Sequence, residues 1–110
     1  MAKFVRGNVV VIPFPFSDLS QSKRRPALVL APLESDDVVL CQITSKSTKD
    51  NYAISLDDVN FESGGLNQAS NIRPNRLFTA DTHTILYRVG NIKKEKLNQV
   101  VKAIIEIAAA

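Results

Sequence analysis

The sequence predicts a mainly β protein: a small antiparallel barrel, closed or half-closed, with one C-terminal α-helix over an open face. Three observations predict it. Short segments rich in Val, Ile and Phe recur along the first ninety residues, bounded by proline, glycine and polar stretches. No helical spacing separates them, so the strands must pair largely antiparallel. The period then changes once, near the end of the chain, to that of an amphipathic helix. A curled sheet closed by a helix buries such a set of elements most economically.

Asn8 to Phe14 is the first strand, stopped by Pro13 and Pro15. Ser17 to Lys23 is a polar loop, and Ala27 to Ala31 a second strand closed by Pro32. After a turn at Glu34 to Asp37, Val38 to Thr44 forms the third. Its alternation puts Val39, Cys41 and Ile43 on one face and Val38, Leu40, Gln42 and Thr44 on the other, which turns polar toward its end. Residues 45–51 form a loop, Tyr52 to Leu56 a fourth strand, and Asp57 to Gly65 a connection in which Gly64-Gly65 is read as a turn. Ser70 to Arg73 and Arg76 to Ala80 are strand-like pieces interrupted by Pro74, the mark of an edge or a bulge. Ile85 to Val89 adds a short strand. Leu97, Val100, Val101, Ile104, Ile105 and Ala108 then recur at helical spacing, predicting a helix over residues 94–108.

At 110 residues the chain has the size of one domain with a single modest core. Its formal charge of +3 is a weak bias toward an anionic partner. One cysteine, Cys41, excludes a disulfide framework and a cysteine-based zinc site, and it reads as a buried small hydrophobe in a reducing compartment. The start briefly imitates a signal peptide, but Pro13 ends the apolar run and no cleavage site follows. No stretch approaches the ~20 apolar residues of a membrane span. The expectation is a soluble cytoplasmic protein.

The single histidine, His83, lies in a polar stretch and reads as a surface residue. No phosphate-binding glycine loop and no carboxylate or His/Cys cluster for a catalytic ion is recognisable, so no cofactor or metal is expected. Positive charge gathers at Lys23-Arg24-Arg25, at Arg73 with Arg76, and at Lys93, Lys94 and Lys96. The lysines read as a solvated face. The first two groups each set an arginine beside a proline at a strand boundary, where the backbone is stiff. A guanidinium held there presents a fixed fork of donors suited to phosphate.

The stretch GNVVVIPFPFSDLSQSKRRPALVL, residues 7–30, resembles the opening of the MazF/PemK family of toxin ribonucleases. LCQITS, residues 40–45, is similar to the family's third strand, and SNIRPNRLFTAD, residues 70–81, to its second arginine segment. The resemblance covers essentially the whole chain, read as a single toxin domain over residues 1–110. It implies an SH3-like antiparallel barrel of the CcdB/PemK type, a homodimer, inhibition by a cognate antitoxin, and metal-independent cleavage of single-stranded RNA. By position it implies Arg25, Thr44 and Arg73 as catalytic residues. Lys23, Arg24, Ser45, Asn75 and Arg76 accompany them as substrate-binding residues. Two positions depart from the family pattern. Asn8 stands where the family usually has Asp. Asn75 stands where one branch has an Asp proposed as general base, and an amide cannot accept the proton.

Two rival functions remain open at this stage: a non-catalytic toxin of the same fold that grips a protein target such as DNA gyrase, and a plain RNA-binding barrel. The first is disfavoured by the arginine and threonine set, the second by the lack of Trp and the presence of only two Tyr.

Overall fold

In the computed structural model, which describes residues 4–15, 22–45 and 50–110, every segment read as a strand forms one, and a further strand joins them. The elements are β1 (Asn8–Pro15), β2 (Ser22–Pro32), β3 (Asp37–Thr44), β4 (Ile54–Leu56), β5 (Phe61–Gly64), β6 (Ser70–Asp81), β7 (Tyr87–Ile92) and α1 (Lys94–Ala109). They make one curled antiparallel sheet in the order β4-β6-β3-β2-β1-β7-β5. No helix among the described residues is long and apolar enough to cross a membrane.

The sheet buries apolar side chains on both faces. One cluster, under α1, gathers Val9, Leu28, Cys41, Ile43, Ile72, Phe61 and Val100, with Leu97, Ala103 and Ile104 packed from the helix. The other gathers Phe4, Val10, Ile12, Ala27, Val29, Val38, Leu40 and Ile85, with Phe78 and Ala80 against it. This corrects the expectation of a single core. It also explains why β1, β2 and β3 read as nearly continuous apolar runs: the middle of each of these central strands is packed on both faces.

Prolines read as bounding or breaking strands lie inside them. β2 begins at Ser22, five residues before the expected start, and Pro26 sits opposite Val11 of β1. Its pairing with β3 starts only at Ala27, so over residues 22–26 one side of β2 is an edge that needs no donor from Pro26. Pro13 is tolerated in the same way, because β7 reaches β1 only at residues 8–11. Pro74 lies in a bulge of the continuous strand β6, as its sequence suggested. Cys41 pairs with Leu77 and Ile43 with Ile72, so four residues, Arg73 to Arg76, oppose Gln42 alone.

The additional strand, β5, occupies part of the stretch read as a connection. It pairs with β7 through Gly64 and Gly90, where the two backbones come so close that neither position admits a side chain. Gly64 also takes φ +69°, a left-handed conformation that favours glycine. The fourth strand is shorter than expected, because Asn51 and Tyr52 turn, and the seventh is displaced to residues 87–92. The helix runs one residue past its expected end.

Candidate functional site

The arginines at the start of β2 are held in a strand rather than at its mouth. Lys23, Arg24 and Arg25 pair with Phe14, Pro13 and Ile12 of β1. Side chains alternate across a strand, and the two apolar clusters mark which face each one takes. Leu28 joins the cluster under the helix, whereas Ala27 and Val29 join the other. The alternation therefore sets Arg25 on the second face and Arg24 on the first. On β3, Val38 and Leu40 lie on the second face, and Gln42 and Thr44 continue it. On β6, Ile72 lies on the first face, so Asn71 and Arg73 flank it on the second.

Thr44 pairs directly with Asn71. Arg25 lies two residues before Ala27, whose partner is Gln42, so it sits toward the Thr44 end of β3, just past the last β2–β3 pair. Since β2, β3 and β6 are adjacent, Arg25, Thr44 and Arg73 rise from neighbouring strands on one face. The outer two strands are separated by about 10 Å, two strand spacings. All three side chains are half-buried. This polar end adjoins the apolar cluster, and Phe14 and Phe78 meet edge to face at 5.5 Å beside it. The polar turn of the third strand's face, read from alternation alone, is thus where these candidate residues converge.

The remaining candidates separate. Arg24, Arg25 and Ser45 line a cleft of about 240 Å³ with Asn67, Gln68 and Ser70, floored by Pro26, Ile43 and Leu66. Asn67 and Gln68 were not singled out by the sequence, which shows there only a polar stretch before a strand. Asn75 and Arg76 are exposed on the β6 bulge. The loops at 16–21 and 46–49, parts of the segments read as loops, lie outside the described residues. A larger cleft of about 480 Å³, between α1 and residues 51–54, carries Lys102 and Glu106 and no arginine. With its charges cancelling, it suits an anionic chain less well.

The sequence also passed over Asp50. Its carboxylate receives Arg73 Nε at 3.1 Å and Arg73 Nη2 at 3.0 Å, both on Oδ2, while Oδ1 accepts the Tyr52 N–H at 2.9 Å. The Asn75 side chain also hydrogen-bonds this carboxyl. The Tyr52 N–H, then Arg73 and Asn75, hold the Asp50 carboxyl below its ordinary value, against the opposing effect of burial. Asn75 is thus a hydrogen-bond partner of the Asp50 carboxyl. The only hint in the sequence was an Asp followed by Asn and Tyr, a combination that favours a turn closed by the Asp side chain.

The bulge is also tied from beneath. Cys41 Sγ donates to the Arg73 carbonyl oxygen at 2.9 Å. Burial pushes the Cys41 thiol up to about 12. The thiol should therefore resist iodoacetamide at pH 8 in the folded protein and react in denaturant, as mass spectrometry would show; rapid native labelling would contradict this burial. The raised value also stabilises the fold fully only below the unfolded thiol's pKa near 9, and that stabilisation is lost as pH rises toward about 12. His83, by contrast, lies on the surface in the short 82–84 turn, its ring Nδ1 2.7 Å from Asp81 Oδ1. Asn8 is buried, accepts the Val5 N–H at 2.9 Å and donates to Asn91, a structural role at the entry to β1.

Fold and site together define a curled antiparallel sheet covered by one helix, with arginines and a threonine on the polar end of one face. Residues 5–108 match the family described as PemK-like, MazF-like toxin of type II toxin-antitoxin system, and the chain belongs to that family. Among solved structures, MazE-MazF (Form-II) from Deinococcus radiodurans matches with a TM-score of 0.76 and 18% identity, covering 96% of each chain. An endoribonuclease from Mycobacterial species matches with a TM-score of 0.71 and 16% identity, over 99% of this chain and 94% of that one. An endoribonuclease in complex with its cognate antitoxin, also from Mycobacterial species, matches at 0.72 and 15%, over 96% and 95%. No curated protein matches the chain by sequence.

Proposed function

We propose that this toxin is an endoribonuclease that cleaves single-stranded RNA. The observation that carries the reading is the convergence of Arg25, Thr44 and Arg73 on one face of three adjacent strands, beside a cleft edged by Arg24. The ribose 2′-oxygen attacks the adjacent phosphorus, the bond to the 5′-oxygen breaks, and a 2′,3′-cyclic phosphate and a 5′-hydroxyl result. The 2′-hydroxyl loses a proton and the 5′-oxygen gains one, so the step is proton-neutral. Negative charge concentrates on the phosphoryl oxygens, where a single well-aimed donor such as Arg25 contributes about 3–4 kcal/mol. Arginine, with a pKa above about 12, acts electrostatically and not as a free proton donor. Thr44 hydrogen-bonds the phosphate or the 2′-oxygen, and Lys23, Arg24, Ser45 and Arg76 hold the flanking backbone. The need for a 2′-hydroxyl excludes DNA as substrate.

A mixed RNA incubated with the protein and excess chelator tests this reading. New 5′-hydroxyl ends paired with cyclic phosphate ends are expected. Binding without new ends would leave the RNA-binding or protein-targeting reading standing, and ends that appear only after magnesium is added would overturn the metal-free mechanism. The antitoxin complexes among the related structures support a cognate antitoxin for this chain too, and the family supports a cytoplasmic homodimer. Sedimentation at micromolar concentration is expected to give the dimer mass.

A further inference from the structure

We propose that Asp50 is a positioning residue of this site, a clamp that fixes Arg73 and Asn75 for the RNA backbone; the proposal rests on the nuclease reading above. The carboxylate is anchored before it meets the arginine. Its Oδ1 accepts the Tyr52 N–H, and its own carbonyl oxygen accepts the Ala53 N–H at 3.2 Å, so Asp50 opens a tight turn. That turn runs directly into β4, which pairs with β6 at Ile72, the residue before Arg73. The acid and the arginine, far apart in sequence, are therefore joined through one rigid stretch of sheet.

The geometry of the pair is that of a side-on brace. Nε and Nη2 both engage one oxygen, Oδ2. Of the five guanidinium N–H groups, three are not directed at Asp50: both on Nη1 and one on Nη2. The brace thus fixes one edge of the arginine and leaves its far end for a phosphate. Side-chain exposure is 19% for Arg73 and 8% for Asp50, so Asp50 lies deeper and the arginine overlies it. The Asn75 amide, hydrogen-bonded to the same carboxyl, extends the clamp across the bulge that carries both residues. Cys41 holds that bulge from the opposite side through the Arg73 carbonyl. A carboxylate engaged by donors from three residues is a poor proton acceptor, which argues for positioning and against a general base.

The test is single-turnover cleavage of an RNA oligonucleotide at saturating protein, with RNA binding and the Arg73 Nε–H resonance recorded alongside. Asp50→Asn keeps the shape and removes the charge. It should slow cleavage by roughly 10- to 100-fold, the scale of a misplaced catalytic group, while RNA affinity moves by less than about threefold. The slow-exchanging Nε–H signal should be lost. In an Arg73→Ala background Asp50→Asn should cost far less than in the wild type, no more than its hold on Asn75 contributes, because most of its effect passes through Arg73. Asp50→Glu keeps the charge and should lose an intermediate amount; it serves as the test if the Asn variant does not fold. Additive losses would show that Asp50 does not act through Arg73 and would overturn the proposal. So would tighter binding with faster cleavage, which would make Asp50 a competitor of phosphate. A wild type that cleaves normally beside an equally active Asp50→Asn protein sinks this proposal alone, whereas a wild type that cleaves no RNA sinks the nuclease reading beneath it.

Discussion

Arg25→Lys should lower single-turnover RNA cleavage by roughly 10²–10³-fold, the usual cost of removing one aimed donor from a developing oxyanion. The fold should survive. Arg25 is half-buried in β2, where it pairs with Ile12 of β1, and lysine has the same reach and charge. What lysine lacks is the planar fork. Its ammonium is a hydrated point charge that rotates among three donors, so the two parallel hydrogen bonds that hold a phosphoryl group are lost. Binding of RNA should change much less than turnover, because the net charge of the face is kept. A Lys variant that cleaves like wild type would mean that a diffuse positive field suffices, and the role given to strand-held geometry would fall with it.

Gly90→Ala should lower the melting temperature by about 5–20 °C. A Cβ at this position would sit 2.4 Å from the Ser63 carbonyl oxygen and 3.1 Å from the Gly64 Cα. Both obstacles are backbone, so no side chain can swing aside, and β5 must move off β7. Overpacking of this kind costs about 1–3 kcal/mol or more, and each kcal/mol lowers the melting temperature of a domain this size by roughly 4–8 °C. The damage falls at the β7-β5 end of the sheet, away from β2, β3 and β6. Protein that remains folded at low temperature should therefore cleave RNA at nearly the wild-type rate. Thermal unfolding followed by circular dichroism measures the first effect; a shift under about 2 °C would show that the two strands separate at little cost.

These two positions differ in how far they could be read before folding. Arg25 was visible because an Arg-Pro pair precedes an apolar run, and because its surroundings resemble a known family. Gly90 carried no such signal. Its constraint comes from Ser63 and Gly64, residues far away in sequence that only the β5–β7 register brings beside it. Asp50 is a similar case. A lone acid in a polar loop is unremarkable until β4 pairs with β6 and sets Arg73 beside it. The start of β2 was also hidden, since prolines disfavour strands in general and become acceptable only where a neighbouring strand is missing on one side.

By itself the sequence determined the elements whose signal is local: the C-terminal helix from its period, the central strands from their apolar runs, an irregularity at Pro74, and the polar end of the third strand from its alternation. Each depends on residues a few positions apart, where backbone geometry and side-chain spacing act directly. Only the tertiary structure decided that both sheet faces are buried, that β5 forms, and that Asp50 braces Arg73 and Asn75. The physical reason is common to all three. Burial, close backbone approach and an ion pair are properties of two distant segments at once, and the order β4-β6-β3-β2-β1-β7-β5 that joins those segments is written in no single stretch of the chain.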